Sequence, residues 1–131
     1  MSTTTPGIGI SRLGQVAINV HDLDRAIQFY RDALGLPLLF TAGAMAFFDC
    51  AGVRLMLARP EKPGFDHPSS ILYFTVPHIE AAYRQMLGHG AAFEAEPRMI
   101  AKMPTYDLWM AFFRDSEQNL LALMSEVPHA A

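Results

Sequence analysis

Five histidines, thirteen acidic residues and one cysteine hold most of the reactive chemistry of this 131-residue chain, and they are not spaced for shared work. His21 and His78 stand where helices begin, His67 in a proline-rich stretch, His89 where a helix ends and His129 in the tail. Cys50 has no histidine beside it to take its proton, so no nucleophile–base pair is visible. As the sole cysteine it also excludes an internal disulfide and a cysteine-rich zinc site. Glu94 and Glu96 read as the solvated face of an edge strand. Tyr73 and Asp49 are left as the plausible proton handlers. A different chemistry is better represented. Gln15, Asn19, Asp49, Arg54, Thr75 and Arg114 sit at alternate positions among methionines and aromatics. Such groups, set in an apolar wall, hydrogen-bond a guest without breaking any bond in it.

The elements that position these groups come in two similar sets. In QVAINV (15–20), Val16, Ile18 and Val20 alternate with Gln15, Ala17 and Asn19, which is the period of a strand with one apolar face. HDLDRAIQFYRDALGLP follows. Asp22 can cap a helix, Leu23, Ala26, Ile27, Tyr30 and Leu34 recur at helical spacing, and Gly35 with Pro37 stops it. ILYFTV (71–76) repeats the strand pattern with Leu72, Phe74 and Val76. A second helical stripe of Ile79, Ala82, Tyr83, Met86 and Leu87 ends near Gly88 and Gly90. One constant offset carries Gln15 onto Ile71, Leu23 onto Ile79 and Ala26 onto Ala82. The tetrapeptide MAFF also occurs twice, at 45–48 and 110–113, but at a longer offset, so extra residues within EAEPRMIAKMPTYD precede the second copy. A turn (AG or SEQN) and an apolar strand (VRLMLA or LLALMS) follow each copy. The chain therefore reads as α+β, with two tandem βαβββ modules. We place a flexible N-terminus at 1–11, modules at 12–59 and 71–126, a linker at 60–70 and a tail at 127–131. The linker region ARPEKPGFDHPSS carries three prolines and a glycine, the mark of a boundary.

With this duplicated unit, QVAINVHDLDRAIQFYRDALGL and the closing FFRDSEQNLLAL, the chain resembles the vicinal oxygen chelate superfamily, over roughly residues 12–126. That group includes glyoxalase I, bleomycin-resistance proteins, fosfomycin-resistance enzymes and extradiol dioxygenases. The resemblance implies a cup-shaped mixed sheet with helices outside. In members with a metal, four side chains from the first and last strands of the modules bind a divalent ion. The corresponding positions here are Gln15, Met56, Ile71 and Ala122. Gln15 can ligate. A thioether is a poor partner for hard cations, and isoleucine and alanine offer no lone pair. No metal and no cofactor are therefore expected. The resemblance also implies a homodimer, since many small relatives build their cups from two chains.

If Val16, Ile18 and Val20 pack on the helix, then Gln15, Ala17 and Asn19 face the cup, as do Arg54 and Met56 by the same alternation. A two-residue Ala51–Gly52 turn pairs Phe47 with Met56 and Asp49 with Arg54. Met45, Phe47 and Asp49 then face inward, and by the repeat so do Met110, Phe112 and Arg114. Ile71, Tyr73 and Thr75 line the second module's first strand, and Leu120, Ala122 and Met124 its last. Each MAFF copy would thus give a methionine and a phenylalanine to opposite walls of one cavity. The plainer account is that these side chains fill a core between sheets, with Asp49 and Arg54 an ordinary cross-strand ion pair. The extra segment 97–109, with Lys102, Tyr106 and Trp109, lies where a loop could cover the mouth or form a dimer contact.

Composition narrows the partners. Half the residues are apolar (51%), 18% are charged and the net charge is −3, with acids and bases interspersed. A nucleic-acid binder would need a clustered basic face. No apolar run is long enough to span a membrane, and MSTTTPGIGI lacks a signal peptide's basic region and apolar core. A soluble, cytoplasmic protein is expected. Three functions compete: a metal-free binder of a small apolar or aromatic molecule; a divalent-metal lyase, isomerase or dioxygenase of the glyoxalase I type; and a metal-independent enzyme using Tyr73 or Asp49.

Overall fold

The computed structural model describes residues 7–10 and 12–129; of the expected lead-in and tail, 1–6, 11, 130 and 131 lie outside the described residues. The first half runs β1 (Gln15–Asn19), α1 (Leu23–Gln28), β2 (Leu38–Ala42), β3 (Met45–Cys50) and β4 (Val53–Ala58). The second runs β5 (Leu72–Thr75), α2 (Ile79–Gly88), β6 (Ala92–Phe93), β7 (Arg98–Lys102), β8 (Tyr106–Arg114) and β9 (Leu120–Pro128). Two mixed sheets result, in the orders β1-β4-β3-β2 and β5-β9-β8-β6, with β7 also on β8. In each, the first strand pairs in parallel with the last while the hairpins pair antiparallel. The fold is α+β with a repeated βαβββ unit. Among the described residues no helix is long and apolar enough to cross a membrane.

Local sequence explains the geometry. The Asp22 side chain accepts from the Arg25 N–H at the start of α1, as a cap should. Ala51 (φ 51°) and Gly52 (φ 94°) make the tight turn whose handedness matches strand twist. It sets Asp49 opposite Arg54 and Phe47 opposite Met56. Beyond Gln28 the helix widens into a π-turn, Phe29–Ala33, closed by the Leu34 N–H on Phe29 O at 3.2 Å. That turn aims two aromatics at the other half. Phe29 stacks on Phe113 with centroids 6.5 Å apart, and the Tyr30 hydroxyl donates to Asp115 at 2.6 Å.

The extra residues before the second MAFF do not form a loop over a mouth. They split one edge strand into β6 and β7, which pair with successive parts of β8, and they lengthen the β7–β8 hairpin. Trp109 packs against the core, and Lys102 pairs with Asp107 at 3.5 Å, its hairpin neighbour. β9 also continues to Pro128, past the expected end of its module, because it pairs with this longer β8.

One core serves both halves. Ile18, Leu55 and Leu57 from the first sheet cluster with Phe113, Leu121 and Leu123 from the second, together with Tyr30, Ile79 and Met86 from the helical segments. Each sheet thus spends its helix-side face on the common core and leaves its opposite face open.

Candidate functional site

On the first sheet's open face, a guanidinium organises the side chains. Arg54 does not pair with Asp49 opposite; its Nε donates to Gln15 Oε1 at 3.0 Å and its Cζ lies 5.5 Å from the Phe47 ring centre. Asp49 instead accepts from the Gly52 N–H at 3.2 Å, fastening the turn. The expected cross-strand ion pair gives way because Asp49 has a backbone donor within its own hairpin and Arg54 an amide acceptor on the neighbouring strand. Phe40 stacks on Phe47, centroids 4.5 Å apart, which buries Phe47 on a face otherwise open.

Toward the other end of β1 lies a hollow of about 620 Å³. Ala17, Asn19, Met45 and Met56 supply its sheet side. Arg59 and, from the linker, Pro60, Glu61, Phe65, His67 and Ser69 complete its lining. Sequence reasoning read this stretch only as a boundary. The missed signal was an aromatic and a histidine held among prolines, in a connecting segment of the kind that often carries function. Asn19, expected as a polar handle for a guest, spends its amide on the linker: Nδ2 donates to Phe65 O at 2.6 Å and to His67 O at 2.9 Å. The His67 ring lies 3.1 Å from Pro68 O.

The second sheet carries the remaining expected lining residues on its own open face. Tyr73 and Phe112 are the register partners of Ala122, and their rings meet edge to face at 5.9 Å, so Ala122 is fully buried. Met110 pairs with Met124, and Arg114 donates to Glu94 at 2.9 Å. Ile71 and Tyr73 are exposed. Within one chain the thirteen expected residues therefore fall into two groups. Gln15, Asn19, Phe47, Asp49, Arg54 and Met56 lie on the first sheet. Ile71, Tyr73, Met110, Phe112, Arg114, Ala122 and Met124 belong to the second. The helix-side faces, not these, are what the two sheets bring together.

The four family metal positions do not suit a divalent cation. The Gln15 oxygen already accepts from a guanidinium, and its amide nitrogen lies 3.8 Å from Met56 Sδ. A second cation beside Arg54 would be repelled. Ile71 and Ala122 have no donor, and among the described residues no three His, Cys, Asp or Glu are placed to hold a metal ion. Nor is a thiolate ready: burial, with Asp49 nearby, pushes the Cys50 thiol up.

A profile of the Glyoxalase/Bleomycin resistance protein/Dioxygenase superfamily matches residues 12–123. The protein YraH of Bacillus subtilis (strain 168) is 25% identical over 126 residues, covering 86% of this chain and 96% of that one. Among solved structures, TnmS3, an antibiotic binding protein from Streptomyces sp. CB03234, superposes with a TM-score of 0.71 at 20% identity, over 92% of this chain and 99% of that one. Lactoylglutathione lyase from Agrobacterium tumefaciens gives 0.71 at 19% identity, over 89% and 95%. At such identities the structural likeness is one of fold.

Proposed function

Because the chain belongs to the glyoxalase/bleomycin resistance protein/dioxygenase superfamily, we propose that it uses this fold to hold a small apolar or aromatic molecule without a metal. The fold hosts both binders and enzymes, as an antibiotic binding protein and a lyase among its neighbours illustrate. The choice between them rests on the residues of the site. The observation carrying the reading is the hollow of about 620 Å³ beside Met45 and Met56, in a chain whose family metal positions hold Gln15, Met56, Ile71 and Ala122. Its size suits a drug-like guest, and thioethers adapt to irregular apolar shapes. A metal-independent enzyme is less well supported. Tyr73 leans on Phe112 on the second sheet and Asp49 fastens a turn, so neither lines the hollow.

The reading extends to a homodimer in a reducing compartment such as the cytoplasm, which a lone unpaired cysteine suits. Leu39 and Phe40 on β2, and Ile71 and Tyr73 beside or on β5, are exposed apolar groups on the open sheets. A second copy laying its second sheet over this first sheet would cover them and join the two groups of lining residues into one cup.

Thermal unfolding with a panel of small apolar compounds in excess EDTA tests the binding claim. A guest at 100 times its Kd adds about 2.7 kcal/mol, a rise of several degrees in Tm. Stoichiometric divalent metal retained at Gln15 and its neighbours, with ligand response only in its presence, would overturn the proposal.

A further inference from the structure

Asn19 closes β1, and its side-chain amide N–H groups, its backbone N–H and its backbone carbonyl are all engaged. Its side chain ties the linker at Phe65 O and His67 O. Its backbone N–H donates to Ser69 Oγ at 3.3 Å, and its carbonyl accepts from Asn119 Nδ2 at 3.3 Å. One residue thus pins three points of the linker to the first sheet, and that strand end to the turn before β9. Prolines restrict the linker's shape, but side-chain hydrogen bonds decide where it lies. Phe65, on this pinned stretch, is 51% exposed while lining the hollow, and Lys62 Nζ stands 5.2 Å from its ring centre. Met45 and Met56, on the sheet, line the same hollow.

We infer that the linker is a ligand-selecting roof: Phe65 above and the Met45 and Met56 sulfurs below take a flat aromatic ring between them, and Asn19 is the positioning residue that sets the roof's height. This inference rests on the binding reading and names its ligand class. Rings stack offset or meet edge to face, and sulfur packs well against aromatic carbon, whereas a puckered ring of equal size gains neither contact. Arg59 and Glu61 bring opposite charges to the lining, so net charge is not what the hollow selects. A roof fixed before the guest arrives also spares the entropy of ordering it on binding.

The test compares 2-naphthol with decahydro-2-naphthol, the same skeleton with and without flat rings. Affinities are measured in EDTA for the wild type, Phe65→Leu and Asn19→Asp, and amide exchange is followed across 59–69. The wild type should prefer 2-naphthol by about fivefold. Phe65→Leu keeps apolar bulk without the ring, and should bring the ratio near one without lowering Tm. Asn19→Asp removes both amide donors in the same shape. It should speed exchange in 59–69 roughly tenfold, leave β9 protected and again erase the preference. A purely structural Asn19 would change Tm and leave the ratio intact, which would overturn the positioning role. Equal affinity for both probes in the wild type overturns the roof and leaves the binding reading standing. Failure to bind either probe overturns the binding reading, and the roof with it.

Discussion

Arg54 stands between two possible partners, and its choice of Gln15 over Asp49 decides what the first sheet's open face can attract. A guanidinium that bridges an amide and the Phe47 ring presents planar, weakly hydrated surface, not a carboxylate cage. At the opposite extreme of burial, Asp115 is 3% exposed and accepts from four donors. These are the Tyr30 hydroxyl, the Glu117 and Asn119 N–H groups, and Asn119 Nδ2. Burial, reinforced by the Asp115 charge, holds the Tyr30 phenol far above its ordinary pKa, so it remains a donor throughout the working range. Tyr30→Phe removes one donor and leaves Asp115 three. The expected cost is therefore about 1–2 kcal/mol, not the larger loss of an orphaned buried charge. Calorimetry should find Tm lower by about 4–8 °C with probe affinity unchanged. An unchanged Tm would mean that this bond between the halves contributes nothing.

Among the elements, the linker departs furthest from what its sequence suggests. Besides Asn19, it is held by His21, whose Nε2 lies 3.1 Å from Asp66 Oδ2 and whose Nδ1 lies 3.4 Å from Glu117 Oε1, in the turn before β9. The hydrogen bond to Asp66, then its charge, and lastly Glu117 raise the His21 pKa above its ordinary value near 6.5. A folded-state pKa above the unfolded one stabilises fully below about pH 6.5 and is lost as pH rises through the folded value. Protection factors of amides in 62–67 should therefore fall from pH 6 to pH 8. The fall should be modest, because solvent screens so exposed a pair. Asp66→Asn should flatten the profile; a wild-type profile that is already flat would mean that the His21–Asp66 pair does not hold the linker. Much of the rest was legible. The strand alternation, the Asp22 cap and the Ala51–Gly52 turn all depend on residues close in sequence, where period and turn chemistry are decisive. The roof depends on hydrogen bonds from Asn19 to residues far along the chain, which no local pattern encodes. The β6–β7 split escaped notice for the same reason: an insertion can read as a loop until its pairing partner is known.

At the scale of the whole molecule, the repeat does more than duplicate a unit. Its two helix-side faces are used up on one another, so the faces that the alternation assigned to the cup are not joined within the chain. The sequence showed which side chains share a face, not which faces meet, since period fixes orientation within a sheet and not between sheets. If a second copy joins them, sedimentation at micromolar concentration should give twice the mass of one chain. Tyr73→Lys, at a position 45% exposed, should then halve that mass without unfolding the protein. A wild-type chain that sediments as a monomer would refute the dimer. The central claim is that an aromatic guest is held on the first sheet without a metal. Its most direct test labels the eight methionine methyls with carbon-13 and titrates 2-naphthol in EDTA. The Met45 and Met56 signals should move and saturate at one equivalent per chain. Signals that stay still until zinc or magnesium is supplied would contradict it.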